Sequence, residues 1–206
     1  MVSELWKNIT DFINGGLKRA VKEHIELTKG QTELSYAPEY FLTVNIAEEL
    51  KNLSGVSIIL EESMGGEDQP NGKKPEGWKR NKRYDIVVRK NDFSPYAAIE
   101  VKHRVYSVSE RVIEDFRRIS NAVNFKANGE SVFEMGIFAF YTVFDEKSTN
   151  ISQKSETIWK LYSNLEEKLQ KYQKNATLKD NLIEPTEYHG FTNVLWGGGC
   201  LVLFSV

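Results

Sequence analysis

Two short apolar segments, Arg83 to Val88 and Ala97 to Lys102, are separated by Lys90-Asn91-Asp92-Phe93-Ser94-Pro95, a run rich in turn-forming residues. Two strands this close in sequence pair antiparallel as a hairpin, which narrows the folds open to the chain. Near their middles both strands are apolar on both faces, so the hairpin belongs inside a sheet covered on each side. Asp85, Glu100 and Lys102 interrupt that apolar ground. Glu100 and Lys102 lie two apart on one strand and therefore share a face. A turn centred between Asp92 and Phe93 sets Asp85 directly opposite Glu100, with Cβ atoms within about 5.5 Å. A slip of one residue would send the two acids to opposite faces, so their convergence depends on the turn.

The flanking segments complete an alternating pattern. Leu5, Ile9, Phe12, Ile13, Leu17, Val21 and Ile25 recur at helical spacing, with Gly15-Gly16 expected as a break or kink. Pro38 opens a helix over Glu39 to Leu53 with Leu42, Ile46, Leu50 and Leu53 as its stripe, and Gly55 ends it. Val56 to Leu60 suits a buried strand, and Gly65 to Lys82 is a polar loop. Ser107 with Glu110 is a capping-box signature ahead of a helix carrying Val112, Ile113, Phe116, Ile119 and Val123. Phe133 to Phe144 is a further strand, and a polar helix follows with Ile158, Leu161, Leu165, Leu169 and Tyr172 on one face. Val194 to Trp196 and Cys200 to Val206 form a terminal strand or hairpin, with Gly197-Gly198-Gly199 expected as a turn. This order predicts a mixed α/β sheet with helices on both faces. With 206 residues a single domain is expected, comprising an N-terminal helical segment 1–30, a core 38–144 and a C-terminal helix and strands 152–206.

Composition excludes some classes. A net charge of −2 gives no bulk attraction to nucleic acid, so any such surface is local. A lone cysteine, Cys200, leaves neither an internal disulfide nor a cysteine-rich zinc site. No apolar run reaches the length of a membrane span and the first residues lack a secretory pattern, so a cytoplasmic protein is expected.

Two carboxylates converging in an apolar sheet are costly unless a cation neutralises them. A hard divalent ion, Mg²⁺ or Mn²⁺, suits oxygen ligands of this kind, and the neighbouring Lys102 suits stabilising negative charge or orienting a water. An ion so placed can promote attack on a phosphodiester. In this respect the pattern of Asp85, then Glu100-Val101-Lys102, each among apolar residues on successive strands, resembles the PD-(D/E)XK nuclease superfamily of restriction endonuclease-like fold. The likeness covers Pro38 to Phe144, about half the chain, in the order helix, three strands, helix, strand. It departs from the family at Tyr84, which stands where the family name has proline.

The resemblance implies metal-dependent cleavage, with DNA as the substrate. Asp85 and Glu100 would be metal ligands, Lys102 would assist catalysis, and a glutamate on the first core helix would complete the site. On a helical wheel Glu39 lies within about 60° of the apolar stripe and is the first choice for that glutamate, with Glu49 on the flank as the second. Trp78, Lys79, Arg80, Lys82 and Arg83, within a segment of six basic residues leading into Asp85, are candidate nucleic-acid contacts. Arg117 and Arg118 are weaker ones, and His103 alternates away from Lys102. Two other readings stay open: a non-catalytic binding module of the same fold for nucleic acid or protein, and a homodimer built on the C-terminal helix.

Overall fold

The computed structural model of the chain describes residues 2–63, 83–124, 126–127, 130–146, 149–171, 176–189 and 191–205. Four helices are present: α1 (Val2–Thr28), α2 (Glu39–Leu50), α3 (Glu110–Asn124) and α4 (Ile151–Gln170). The strands are β1 (Val56–Ser63), β2 (Arg83–Lys90), β3 (Pro95–Lys102), β4 (Lys126–Ala127), β5 (Glu130–Ser131), β6 (Met135–Phe144), β7 (Ala176–Glu187) and β8 (Leu195–Ser205). Six of them form one mixed sheet in the order β1-β2-β3-β6-β8-β7, while β4 and β5 pair by themselves. Only β3 and β6 run parallel, and α3 is the crossover between them.

Strand alternation splits the apolar residues between two layers. Ile86, Val88, Ile99, Val101, Ile137, Ala139 and Val202 pack with Ile9, Ile13 and Leu17 of α1 and Leu42 and Ile46 of α2. On the opposite face Phe138, Phe140, Leu201 and Leu203 pack with Phe116 and Ile119 of α3 and Ile158 and Leu165 of α4. Helices therefore cover both faces, as the α/β pattern predicts. No helix among the described residues is long and apolar enough to cross a membrane.

Both glycine runs differ from their expected roles for one physical reason. Gly15 and Gly16 lie inside the uninterrupted helix α1, with no break there. A Cβ at Gly16 would come within 2.5 Å of the Ile46 Cα, so this glycine lets the α1 and α2 backbones touch. Gly197, Gly198 and Gly199 likewise sit within the single strand β8 and do not make a turn. A side chain at Gly197 would meet the Tyr162 Oη at 2.3 Å, and one at Gly198 the Phe140 carbonyl oxygen at 2.4 Å. Tyr162 uses that space to donate to the Ile183 carbonyl (2.9 Å) and to accept from the Gly198 N–H (2.7 Å). Gly199, at φ +142, crosses β7 where its Cβ would lie 2.6 Å from the Asn181 carbonyl oxygen.

Two helix starts also differ. The cap of α3 is Ser109, whose Oγ accepts from the Val112 N–H (3.4 Å), rather than Ser107. At α4 a capping box forms between Asn150 and Gln153, ahead of the segment expected to begin the helix. Cys200 is buried in β8.

The close approach at Gly16 predicts that Gly16→Ala costs about 1–3 kcal/mol of unfolding free energy, because the two backbones must separate. Gly15→Ala, whose Cβ would have only the Glu49 side chain near, at 3.8 Å, should be neutral or stabilising by up to about 1 kcal/mol. Urea denaturation of the two variants checks both signs.

Candidate functional site

The β2–β3 hairpin has the expected register over its centre and loses it at both ends. Ile86 pairs with Ile99, Val87 with Ala98 and Val88 with Ala97, which extrapolates to Asp85 facing Glu100. Towards the turn a bulge shifts the ladder by one, so that Arg89 pairs with Pro95. That bulge accommodates a loop in which Phe93 takes a left-handed φ of +62° and Asp92 accepts from the Ser94 N–H (2.9 Å). At the other end the ladder stops one residue short of Asp85. Beyond that point the Asp85 Oδ2 accepts from the Val101 N–H at 2.7 Å, so a side chain replaces the strand-to-strand bond. On the other flank β1 pairs with β2 at Leu60–Ile86 and Glu62–Tyr84, and Glu61, opposite Asp85, has a φ of +51°. The sheet is open around Asp85.

Glu100 points to the α3 face and is 1% exposed. Its Oε2 accepts from the Arg118 guanidinium at 2.6 Å, whereas Oε1 is buried with no hydrogen-bond partner among the described residues. The same guanidinium nitrogen bonds Asp115, one turn back on α3. The Lys102 ammonium lies 2.9 Å from the Asp115 Oδ2 and 3.3 Å from the Glu39 Oε1. Glu39, in the first turn of α2, also accepts from the His103 N–H through Oε2 (3.1 Å). Thus Glu39, Asp85, Glu100, Lys102, Asp115 and Arg118 make one continuous polar cluster where β3 ends, between the start of α2 and the middle of α3. Lys102 and Glu39 line the floor of an open cleft of about 420 Å³, which continues over His103 to Ser107 and reaches Arg111.

The electrostatics follow from burial. Burial raises the Glu100 carboxyl well above its ordinary value, and the negative charge of Asp85 raises it further, against Arg118. Asp85 is raised mainly by burial and secondarily by Glu39, with the Val101 N–H acting against both. Burial works against the charge on Arg118, yet Glu100 and Asp115 together hold its pKa above the ordinary value. The site therefore carries an excess of acid that its own two cations only partly offset.

The structure places the remaining candidates as follows. Glu49 bonds Arg19 of α1 at 3.4 Å and lies away from the cluster, so Glu39 is the helix carboxylate that reaches it. The His103 ring faces the α1 side, stacked on Tyr141 at 5.9 Å, with Nε2 at 3.2 Å from the Leu34 carbonyl oxygen. Arg83 is exposed and pairs with Glu61 at 3.3 Å. Trp78, Lys79, Arg80 and Lys82 lie outside the described residues, as do the polar loop 65–82 and Tyr172. Arg118 turns inward to Glu100. Asp115 is the member of the cluster that sequence reasoning missed. It fills the i+3 place in the Val112, Phe116, Ile119 stripe, where an acid on the apolar side of a helix is itself a signal.

Among the described residues no three Asp, Glu, His or Cys side chains are grouped as a ready-made metal cage. Basic groups stand between the acids instead. The donor chemistry nevertheless fits a hard cation: Asp85, Glu100 and Glu39 offer carboxylate oxygens, and the unpartnered Glu100 Oε1 is a buried acceptor in a field that disfavours a second negative charge. Comparison with protein-family models, curated proteins and solved structures finds no match for the chain.

Because Glu100 has a raised folded-state pKa, its contribution to stability is full below the ordinary carboxylate value of 4.5 and is lost as pH rises through the folded value. In chelator at pH 8, Glu100→Gln should therefore melt above the unsubstituted protein. Each pKa unit relieved is worth about 1.4 kcal/mol, and each kcal/mol about 2–4 °C in a chain of this size. The difference should shrink towards pH 5. A lower melting temperature for the variant at pH 8 would mean that the Arg118 pair outweighs the burial cost.

Proposed function

We propose that the protein is a divalent-metal-dependent nuclease that hydrolyses phosphodiester bonds, with DNA as its substrate. Asp85 and Glu100 are the metal ligands in this reading and Glu39 completes the set. The observation that carries it is the buried, half-satisfied Glu100 carboxyl, whose pKa is raised first by burial and then by Asp85, and which is joined through Arg118, Asp115 and Lys102 to an open cleft. The fold supports the same reading. The succession α2, β1, β2, β3, α3, β6, with β6 parallel to β3, has the order that the PD-(D/E)XK resemblance implies, and the acids fall on the corresponding strands.

A divalent ion bound to these carboxylates would neutralise charge on a phosphodiester and lower the pKa of a water. The residues of the chain supply the rest. Asp85 is fixed by the Val101 N–H, so its second oxygen has a set direction. Lys102 is anchored between Glu39 and Asp115, which holds its ammonium at the floor of the cleft, where it can stabilise charge developing on a phosphoryl oxygen or orient the attacking water. Asp115 positions both Lys102 and Arg118. The buried Phe138 and Phe116 on the α3 face keep the surroundings of Glu100 poor in solvent and strengthen its interactions.

One observation favours a second reading, a binding module that no longer cuts. Arg118 already sits on Glu100 and Asp115, giving the acids an internal counter-ion. The two readings separate on substitution. If the site takes a metal, Arg118→Met should tighten Mn²⁺ binding by about tenfold or more, lower the melting temperature in chelator and recover it with Mn²⁺. In a decayed site the variant gains no cation affinity.

Supercoiled plasmid with Mg²⁺ or Mn²⁺ is expected to be nicked or linearised. Asp85→Asn and Lys102→Ala should each slow this at least about 100-fold. Cleavage that survives both substitutions would reject the assignment.

A further inference from the structure

The mouth of the cleft carries aromatic side chains that the chemistry above does not use. Tyr36 is 68% exposed and Tyr106 49%. Tyr106 lines it directly, and the Arg104 guanidinium, from another lining residue, stands 5.9 Å from the centre of the Tyr36 ring. Tyr36 belongs to the 3₁₀ turn Leu34–Tyr36, held in place by the Leu34 N–H donating to the Tyr188 Oη at 2.6 Å. Arg104 itself has a left-handed φ of +59°, a strained backbone for a side chain of this kind. Its carbon chain and charge are thereby presented at the rim beside two rings. Arg111, with its side chain 75% exposed, also lines the cleft and pairs with the Glu39 Oε1 at 3.9 Å.

We propose that this cleft binds an unpaired nucleotide segment of a nucleic acid, its bases stacking on Tyr36 and Tyr106 and its phosphates meeting Arg104, Arg111 and Lys102. The inference rests on the nucleic-acid reading of the site and names the form of strand it takes. Aromatic faces next to guanidinium groups match the two parts of a nucleotide, a flat base and an anionic backbone. The cleft, at about 420 Å³, falls in the range of small-ligand sites, about 300–1,000 Å³, which suits an unpaired nucleotide rather than the width of a duplex. A duplex also hides the faces of its bases in its own stack, so it cannot use the tyrosines. Lys102 and Glu39 line the same cleft as Tyr106 and Arg104, so a strand stacked there lies beside the polar cluster.

Fluorescence anisotropy in EDTA, where cation-dependent cleavage is silent, tests this with a labelled twelve-nucleotide deoxy strand, its ribo counterpart and the deoxy duplex. Single strand of at least one sugar type is expected to bind at least about tenfold more tightly than duplex, and the ratio between deoxy and ribo strands identifies which nucleic acid is preferred. Tyr36→Leu and Tyr106→Leu should each weaken single-strand binding by about five- to hundredfold. Tyr106 also packs edge-on against Phe144 at 6.0 Å, so its variant is checked by thermal melting; Tyr36→Leu, on the exposed turn, stands by itself if the other unfolds. Equal affinity for duplex, or tyrosine variants within twofold of the unsubstituted protein, overturns the inference. Cleavage is scored separately. Tyrosine-dependent strand binding without any cation-dependent cutting ends the nuclease reading and leaves this one standing, while cutting without tyrosine-dependent binding does the reverse.

Discussion

The structure is organised around a concentration of negative charge at the end of the sheet, from Glu100, 1% exposed, to Glu39, which lines the open cleft. Asp85 and Glu100 enter from adjacent strands, Asp115 from the helix above and Glu39 from the helix at the sheet's end. Two cations, Lys102 and Arg118, are distributed among these four acids, and one oxygen of Glu100 is left without a partner among the described residues. Burying charge in this way disfavours folding. Much of the surrounding architecture accommodates it. The β2–β3 ladder ends before Asp85, β1 takes a left-handed residue opposite it, and Val101 gives its N–H to a carboxylate rather than to a strand.

Position in the topology gives that charge an outlet. The cluster lies at the C-terminal end of β3, next to the parallel β3–β6 pair and its crossover α3, where an α/β sheet leaves a crevice between diverging connections. Of the six cluster residues, Lys102 and Glu39 line the cleft, which Arg104, Tyr106 and Arg111 line as well.

How much of this is legible in the sequence depends on the range of the forces involved. The pairing of Ile86 to Val88 with Ala97 to Ile99 matches the register expected from strand alternation, although the turn falls one residue off its expected centre and the bulge at Val88 and Arg89 absorbs the difference. The glycines mislead because their role is tertiary. Gly16 and Gly197 to Gly199 look like interruptions by propensity, yet they mark where a helix or strand must come within contact of another backbone or, at Gly197, of the Tyr162 side chain. Strand β7 gives no periodic signal. It contains Lys179, Asp180, Asn181, Glu184 and Pro185, which an edge strand with a bulge between Ile183 and Thr186 tolerates and a central strand would not. Asp115 could have been suspected from its place in an apolar stripe. The inward turn of Arg118 could not, since its partner lies eighteen residues away on a different element.

The central claim is that Asp85 and Glu100 form a cation site whose internal counter-ion gives way. Anomalous diffraction from crystals soaked in Mn²⁺ addresses it most directly. A single strong anomalous peak is expected within coordination distance of both carboxylates, with the Arg118 guanidinium withdrawn from Glu100. Saturating Mn²⁺ with no peak there and Arg118 still bonded to Glu100 would contradict it.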